Sequence, residues 1–162
     1  MIFLMFIFVF ELFFGGMTPH ELLLDMQASV ARSQEVVQDS FVRFPGVQFD
    51  VEVARTAAQR TRGLMFRESM PVNRGMIFVF DDDAVRNFWM KNTLIPLDMI
   101  FVDKDGQVVS VSANVQPCRE KVSSACPNYA STEPARYVLE INAGLAHSHH
   151  IQKGSRMDIS IS

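Results

Sequence analysis

The clearest pattern in the chain lies at residues 47–54, VQFDVEVA, where Val47, Phe49, Val51 and Val53 alternate with polar neighbours. A period of two is the mark of a half-buried strand. Residues 56–65, TAAQRTRGLM, change to a helical pattern that ends near Gly63. The apolar run Gly75–Phe80 fits a central strand buried on both faces, with Asp81-Asp82-Asp83 ending it in a turn. Short strands follow at Asn87–Met90 and Leu97–Val102, with Pro96 at the entry of the second. Asp103-Lys104-Asp105-Gly106 predicts a hairpin turn, because Asp-Gly tolerates the positive φ such turns need. Gln107–Val115 alternates again, residues 116–135 read as a long loop, and Tyr137–Ile141 is a further strand. A turn with a short helix over 142–150 and a last strand over 157–161 complete the pattern.

Before residue 42 the pattern differs. Residues 1–14 hold six of the fourteen phenylalanines and one charge, Glu11. Gly15-Gly16 stops this run short of the roughly 20 apolar residues that span a bilayer. No Lys or Arg precedes Arg32, so the basic start of a secretory signal is missing. Three readings stay open: a signal or membrane anchor, a start at Met17, or a buried or interfacial segment. Thr18-Pro19-His20-Glu21 then carries a capping box with proline at the first helical position. Leu22, Met26, Val30 and Val37 recur near helical spacing, which predicts a helix to about Ser40. The chain divides into an apolar leader (1–16), a helical connector (17–41) and one globular domain (42–162). The domain's pattern predicts a mainly β, α+β fold: a compact antiparallel barrel-like or sandwich-like domain with two short helices, preceded by the N-terminal helix.

Composition narrows the function classes. Fifteen Lys+Arg against eighteen Asp+Glu give a net charge of −3, which offers no support for a nucleic-acid binder that neutralises phosphates. Hydrophobic residues at 48% are enough to build a core. Two cysteines exclude a disulfide-dense scaffold and a four-cysteine zinc box. No nucleophile elbow, phosphate-binding glycine loop or His-Glu-x-x-His occurs.

The densest polar and aromatic cluster is Asn87-Phe88-Trp89-Met90-Lys91-Asn92-Thr93, followed by Pro96-Leu97-Asp98, and it contains the single tryptophan. On an extended strand Trp89, Lys91 and Thr93 share one face. That face offers an aromatic surface beside an ammonium, so Trp89 would stack on a ligand while Lys91 or Arg62 meets its anionic group. The structural alternative makes Trp89 a core plug, Lys91 a snorkelling side chain, and Asn92 and Asp98 turn pins. Arg60 and Arg62 flank a Gly63-Leu64-Met65 break, where arginine also compensates a helix dipole. Cys118 and Cys126 bracket seven residues. A disulfide there would pin the loop and imply an oxidising compartment; two free thiols, or metal and redox chemistry, remain alternatives. His147 and His150 stand at i, i+3 without an acid or cysteine to complete a metal set, and the ten methionines are scattered. No metal or cofactor is expected.

The segments Arg62-Gly63-Leu64-Met65-Phe66-Arg67, Gly75–Phe80 and Phe88–Phe101, followed in order by Tyr129, Pro134–Glu140 and Ala143-Gly144, resemble the family called domain of unknown function 192. The resemblance covers about residues 47–161, and the Trp-Met-Lys-Asn-Thr block is its most specific part. It implies a β-rich single domain, often behind an export signal or membrane segment, without an established activity. The Cys118 and Cys126 pair resembles that of exported members. Gly154-Ser155 stands where members usually carry Gly-Asp, His149-His150 replaces more ordinary residues, and the leader lacks a basic start.

These residues point first to an extracytoplasmic module, periplasmic or membrane-anchored, that binds a small molecule or a protein. Its pocket would centre on Arg62, Trp89, Lys91, Asn92 and Asp98. No nucleic-acid partner is expected, and residues 1–14 could reach a membrane. The alternatives are a hydrolase or transferase using Asp98 or Glu140 as general base, and a structural or accessory domain without a ligand.

Overall fold

A computed structural model describes His20, residues 40–120 and residues 125–162. The leader expected over 1–16 and the helix expected over 17–41 lie outside the described residues, except for His20, Ser40 and Phe41. The unit Gln38–Ser162 builds a mixed seven-stranded sheet in the order β6-β5-β8-β3-β2-β1-β9. Its strands are β1 (Phe41–Phe44), β2 (Val47–Ala54), β3 (Arg74–Ala84), β5 (Leu97–Val102), β6 (Val108–Val115), β8 (Ala135–Asn142) and β9 (Asp158–Ser160). A separate two-stranded ribbon pairs β4 (Asn87–Trp89) with β7 (Asn128–Ala130). Two short helices, α1 (Ala57–Arg62) and α2 (Leu145–Ser148), complete the elements.

The expected mainly β fold with two short helices is the fold found. The sheet does not close into a barrel. Its outer strands β6 and β9 approach through the chain just before β9, where Gln107 and Arg156 form an isolated bridge. One pairing departs from the antiparallel expectation: β2 and β3 run parallel, Asp50 beside Arg74 and Ala54 beside Phe78. A parallel pair needs a crossover rather than a hairpin, and α1 with the loop after it supplies that crossover.

Both faces of the sheet are covered, so its central strands read as continuous apolar runs. All six residues of β5 are buried. On one face Phe49, Ile77, Ile100, Leu139 and Ile141 meet Ala146 of α2 and Ile151. On the other, Phe78, Met99, Phe101 and Val138 meet Leu64 and Met90. The ribbon inserts Phe88 edge-on between Phe78 and Phe101, at ring-centroid distances of 4.9 and 6.0 Å. Such edge-to-face contacts are a preferred aromatic geometry.

The Asp103–Gly106 turn forms as its residues predict. Asp103 accepts N–H bonds from Asp105 and Gln107 through one carboxylate oxygen, and Gly106 sits at φ +84°. The Asp81–Asp83 run does not end β3, which continues to Ala84. Its register against β8 shifts between Val79 and Ala84, as at a bulge. Arg86 pairs with Asp82 and Arg136 with Asp83, both at 2.8 Å, so cations from elsewhere in the chain compensate the acidic stretch.

Candidate functional site

Beneath α1 and the segment after β4 lies a cavity of about 320 Å³. Thr56 and Gln59 form a reciprocal capping box that starts α1. Gly63 ends the helix at φ +46°, with its position only 3.2 Å from the Phe78 ring for any Cβ added there. A side chain would therefore be both strained and crowded, and glycine lets the helix end settle onto the cavity floor. Arg60 and Arg62 project from the last turn of α1 into the cavity lining. They differ in commitment. Arg60 donates to the Val79 carbonyl at 2.8 Å and lies 4.9 Å over the Phe80 ring. The Arg62 side chain has no hydrogen bond or ion pair among the described residues.

The opposite wall comes from Trp89, Lys91 and Thr93. The strand expected over Asn87–Met90 is found over Asn87–Trp89. Beyond it the chain turns: Thr93 N–H bonds the Met90 carbonyl at 3.2 Å, and Asn92 adopts φ +54°. The turn buries Met90 and still brings Trp89, Lys91 and Thr93 onto one cavity wall. Trp89 is 40% exposed, so it is not a core plug. Lys91 Nζ stands 5.5 Å from its ring centroid, within cation–π range. Like Arg62, Lys91 lacks a carboxylate partner among the described residues. Asn92 lies outside the lining, and its main-chain carbonyl accepts the Phe66 N–H at 2.8 Å. It joins the turn to the loop after α1.

The two acids considered as general bases occupy different environments. Asp98 of β5 is fully buried and lies outside the cavity lining. One of its oxygens accepts the Asn114 N–H at 2.7 Å and the other the Ala146 N–H at 2.8 Å. It thereby holds the end of β6 to the start of α2, where the N-cap residue Gly144 has no side chain to offer. Glu140 of β8 lies in the cavity floor at 5% exposure, level with Met76 of β3 and Met99 of β5. Its carboxyl has no hydrogen-bond partner among the described residues, and burial pushes its pKa up to about 8. Gly75 secures this position, since a Cβ there would come within 2.7 Å of the Glu140 carbonyl oxygen. The sequence signal was a lone acid within the apolar run Tyr137–Ile141, a position that is costly unless the acid has a use.

Cys118 and Cys126 form a disulfide with Cα atoms 5.7 Å apart. The loop is tied to the site, because Cys118 bridges Lys91 and its N–H reaches the Met90 carbonyl. Among the described residues no helix is long and apolar enough to cross a membrane, and no group of three or more potential metal ligands occurs. His147 and His150 line a separate groove beside β6.

The DUF192 family model, described as Uncharacterized ACR, matches residues 40–159. The chain belongs to the DUF192 family. A crystal structure of a protein of unknown function from Novosphingobium aromaticivorans DSM 12444 is 37% identical, at a TM-score of 0.66. The match covers 74% of this chain and 83% of that one. A Sinorhizobium meliloti 1021 protein, provisionally described as a transcription regulator, is 33% identical with the same TM-score of 0.66. Here 75% of this chain and 93% of the other are covered. No curated protein matches the chain. Both structures support the fold, and neither supplies an activity.

Proposed function

We propose that this DUF192 domain is an extracytoplasmic module that binds a small organic anion with a flat apolar body. The observation that carries the reading is a pair of cations without acidic partners among the described residues, Arg62 and Lys91, beside a half-exposed Trp89 over a floor containing Phe78 and Phe80. In a partly desolvated cavity, cations without counter-charges favour an anionic guest. The indole and phenyl rings supply stacking area for its body. Asn92 orders the turn that carries Lys91, and Asp98 stiffens the sheet end behind it. The disulfide supports an oxidising location, since such bonds persist outside the reducing cytosol. The leader, residues 1–14, would add membrane association.

Trp89 is the single tryptophan, so its fluorescence reports on the site directly. Titration with aromatic carboxylates should shift the emission saturably. Replacing both Arg62 and Lys91 by alanine should weaken binding by about tenfold or more, as expected on losing charge-assisted contacts. Saturable emission changes that the double variant leaves intact would remove the anion reading. The absence of any shift across such a panel would favour a structural or accessory domain. A hydrolase or transferase using Glu140 as general base is the competing reading for the same cavity, and turnover of an ester or amide probe would favour it.

A further inference from the structure

A carboxyl that is buried, unpartnered and open only to a cavity is costly unless something in that cavity meets it. Glu140 has these three properties together. The charged groups around it are few. Arg60, Arg62 and Lys91 share the cavity lining with it. Its lateral neighbours Met76 and Met99 are uncharged. One strand further on, Glu52 lies level with Met76 and is engaged by Arg67 through two bonds of 2.6 and 2.5 Å. The raised proton affinity of Glu140 has burial as its cause and no contribution from a cation. None of the three cations lies within ion-pair distance of the carboxyl. The cavity therefore combines cations with one buried carboxyl that they do not engage.

We infer that Glu140 is a recognition group that donates its O–H to an uncharged oxygen of the ligand whose anionic group is held by Arg62 and Lys91. The inference rests on the binding reading above and narrows it to organic anions that also carry a carbonyl-type acceptor. An ionised Glu140 would repel that oxygen, so the preference is lost as the acid deprotonates.

Two probes separate this from binding alone: para-acetylbenzoate, and para-isopropylbenzoate, which has a similar shape and no acceptor. Calorimetric titration uses the full chain, with Trp89 emission as the check that the cavity is occupied. At about pH 6.5 the acetyl compound should bind about three- to tenfold tighter, the range of one net hydrogen bond. By about pH 9 the advantage should vanish, while the isopropyl compound controls for every other titrating group. Glu140→Gln keeps a donor that cannot ionise, so the advantage should persist at both pH values. Glu140→Leu should show none at either. Equal binding of both probes at about pH 6.5, or an advantage that survives Glu140→Leu, overturns the role of Glu140 and leaves the binding reading standing. Failure of both probes to bind overturns both.

Discussion

Glu140 makes a prediction about stability that needs no ligand. Its carboxyl has an ordinary value of 4.5 in the unfolded chain, and burial raises it to about 8 in the folded one. Between these two values the unfolded chain has released the proton and the folded chain still holds it. The folded state then binds more protons, so stability falls as pH rises. The contribution is intact below about pH 4.5 and fully lost above about pH 8. Each pH unit in this window is worth about 1.4 kcal/mol, so the whole span amounts to about 5 kcal/mol. Glu140→Gln removes the titration. Its buried amide costs about 1–3 kcal/mol where it lacks a partner, and this offset does not vary with pH. Urea unfolding of both proteins at several pH values, read by Trp89 emission and circular dichroism, isolates the term as the difference between two curves. The native protein should lose stability against Glu140→Gln by about 1.4 kcal/mol per pH unit and become the less stable of the two at about pH 5–7. Parallel profiles over the window would refute the reasoning, because they would mean that the carboxyl ionises equally easily in both states.

Asp98→Asn should cost about 2–3 kcal/mol, since the amide nitrogen would face one of the two main-chain N–H groups that the carboxylate now satisfies; urea unfolding at neutral pH measures it. Replacing both Cys118 and Cys126 by serine should cost about 2–3 kcal/mol through the restored freedom of a short loop. The same change should weaken aromatic carboxylate binding, because the loop no longer braces the Lys91 segment. Unchanged affinity in a folded double-serine variant would show that Lys91 is held by its own turn. On reduction, the mass of the native protein should rise by the two hydrogens of a disulfide.

Much of the local structure was legible because near neighbours set it. Alternation over Val47–Ala54 corresponds to β2 residue for residue. The pairing of Thr56 with Gln59 starts α1, and Gly63 ends it, both through contacts within a few residues. The Asp103–Gly106 turn is likewise self-contained. The strand Asn87–Trp89 was legible too, but the turn after it was not, because the residues that follow can run extended or turn. The positive φ of Asn92 depends on what the turn packs against, with Met90 drawn into the core.

The acids show the limit of the sequence most plainly. Asp81–Asp83 reads as a terminator, since carboxylates alone oppose a strand; Arg86, four residues beyond Asp82, and Arg136, brought to Asp83 by the fold, reverse that. Asp98 and Glu140 are each single acids in apolar strands and look alike on the page. Near-neighbour preferences determined β2, the Asp103–Gly106 turn and the first helix, because backbone geometry and side-chain alternation act over a few residues, whereas β7 lies inside the stretch 116–135 that reads as loop. The parallel pairing of β2 with β3 was decided only when distant strands met. So was the fate of the two carboxyls: main-chain N–H groups from β6 and α2 occupy Asp98, and no donor among the described residues reaches Glu140. Whether a buried charge is satisfied depends on atoms far away in sequence, and only the folded chain brings those atoms into place.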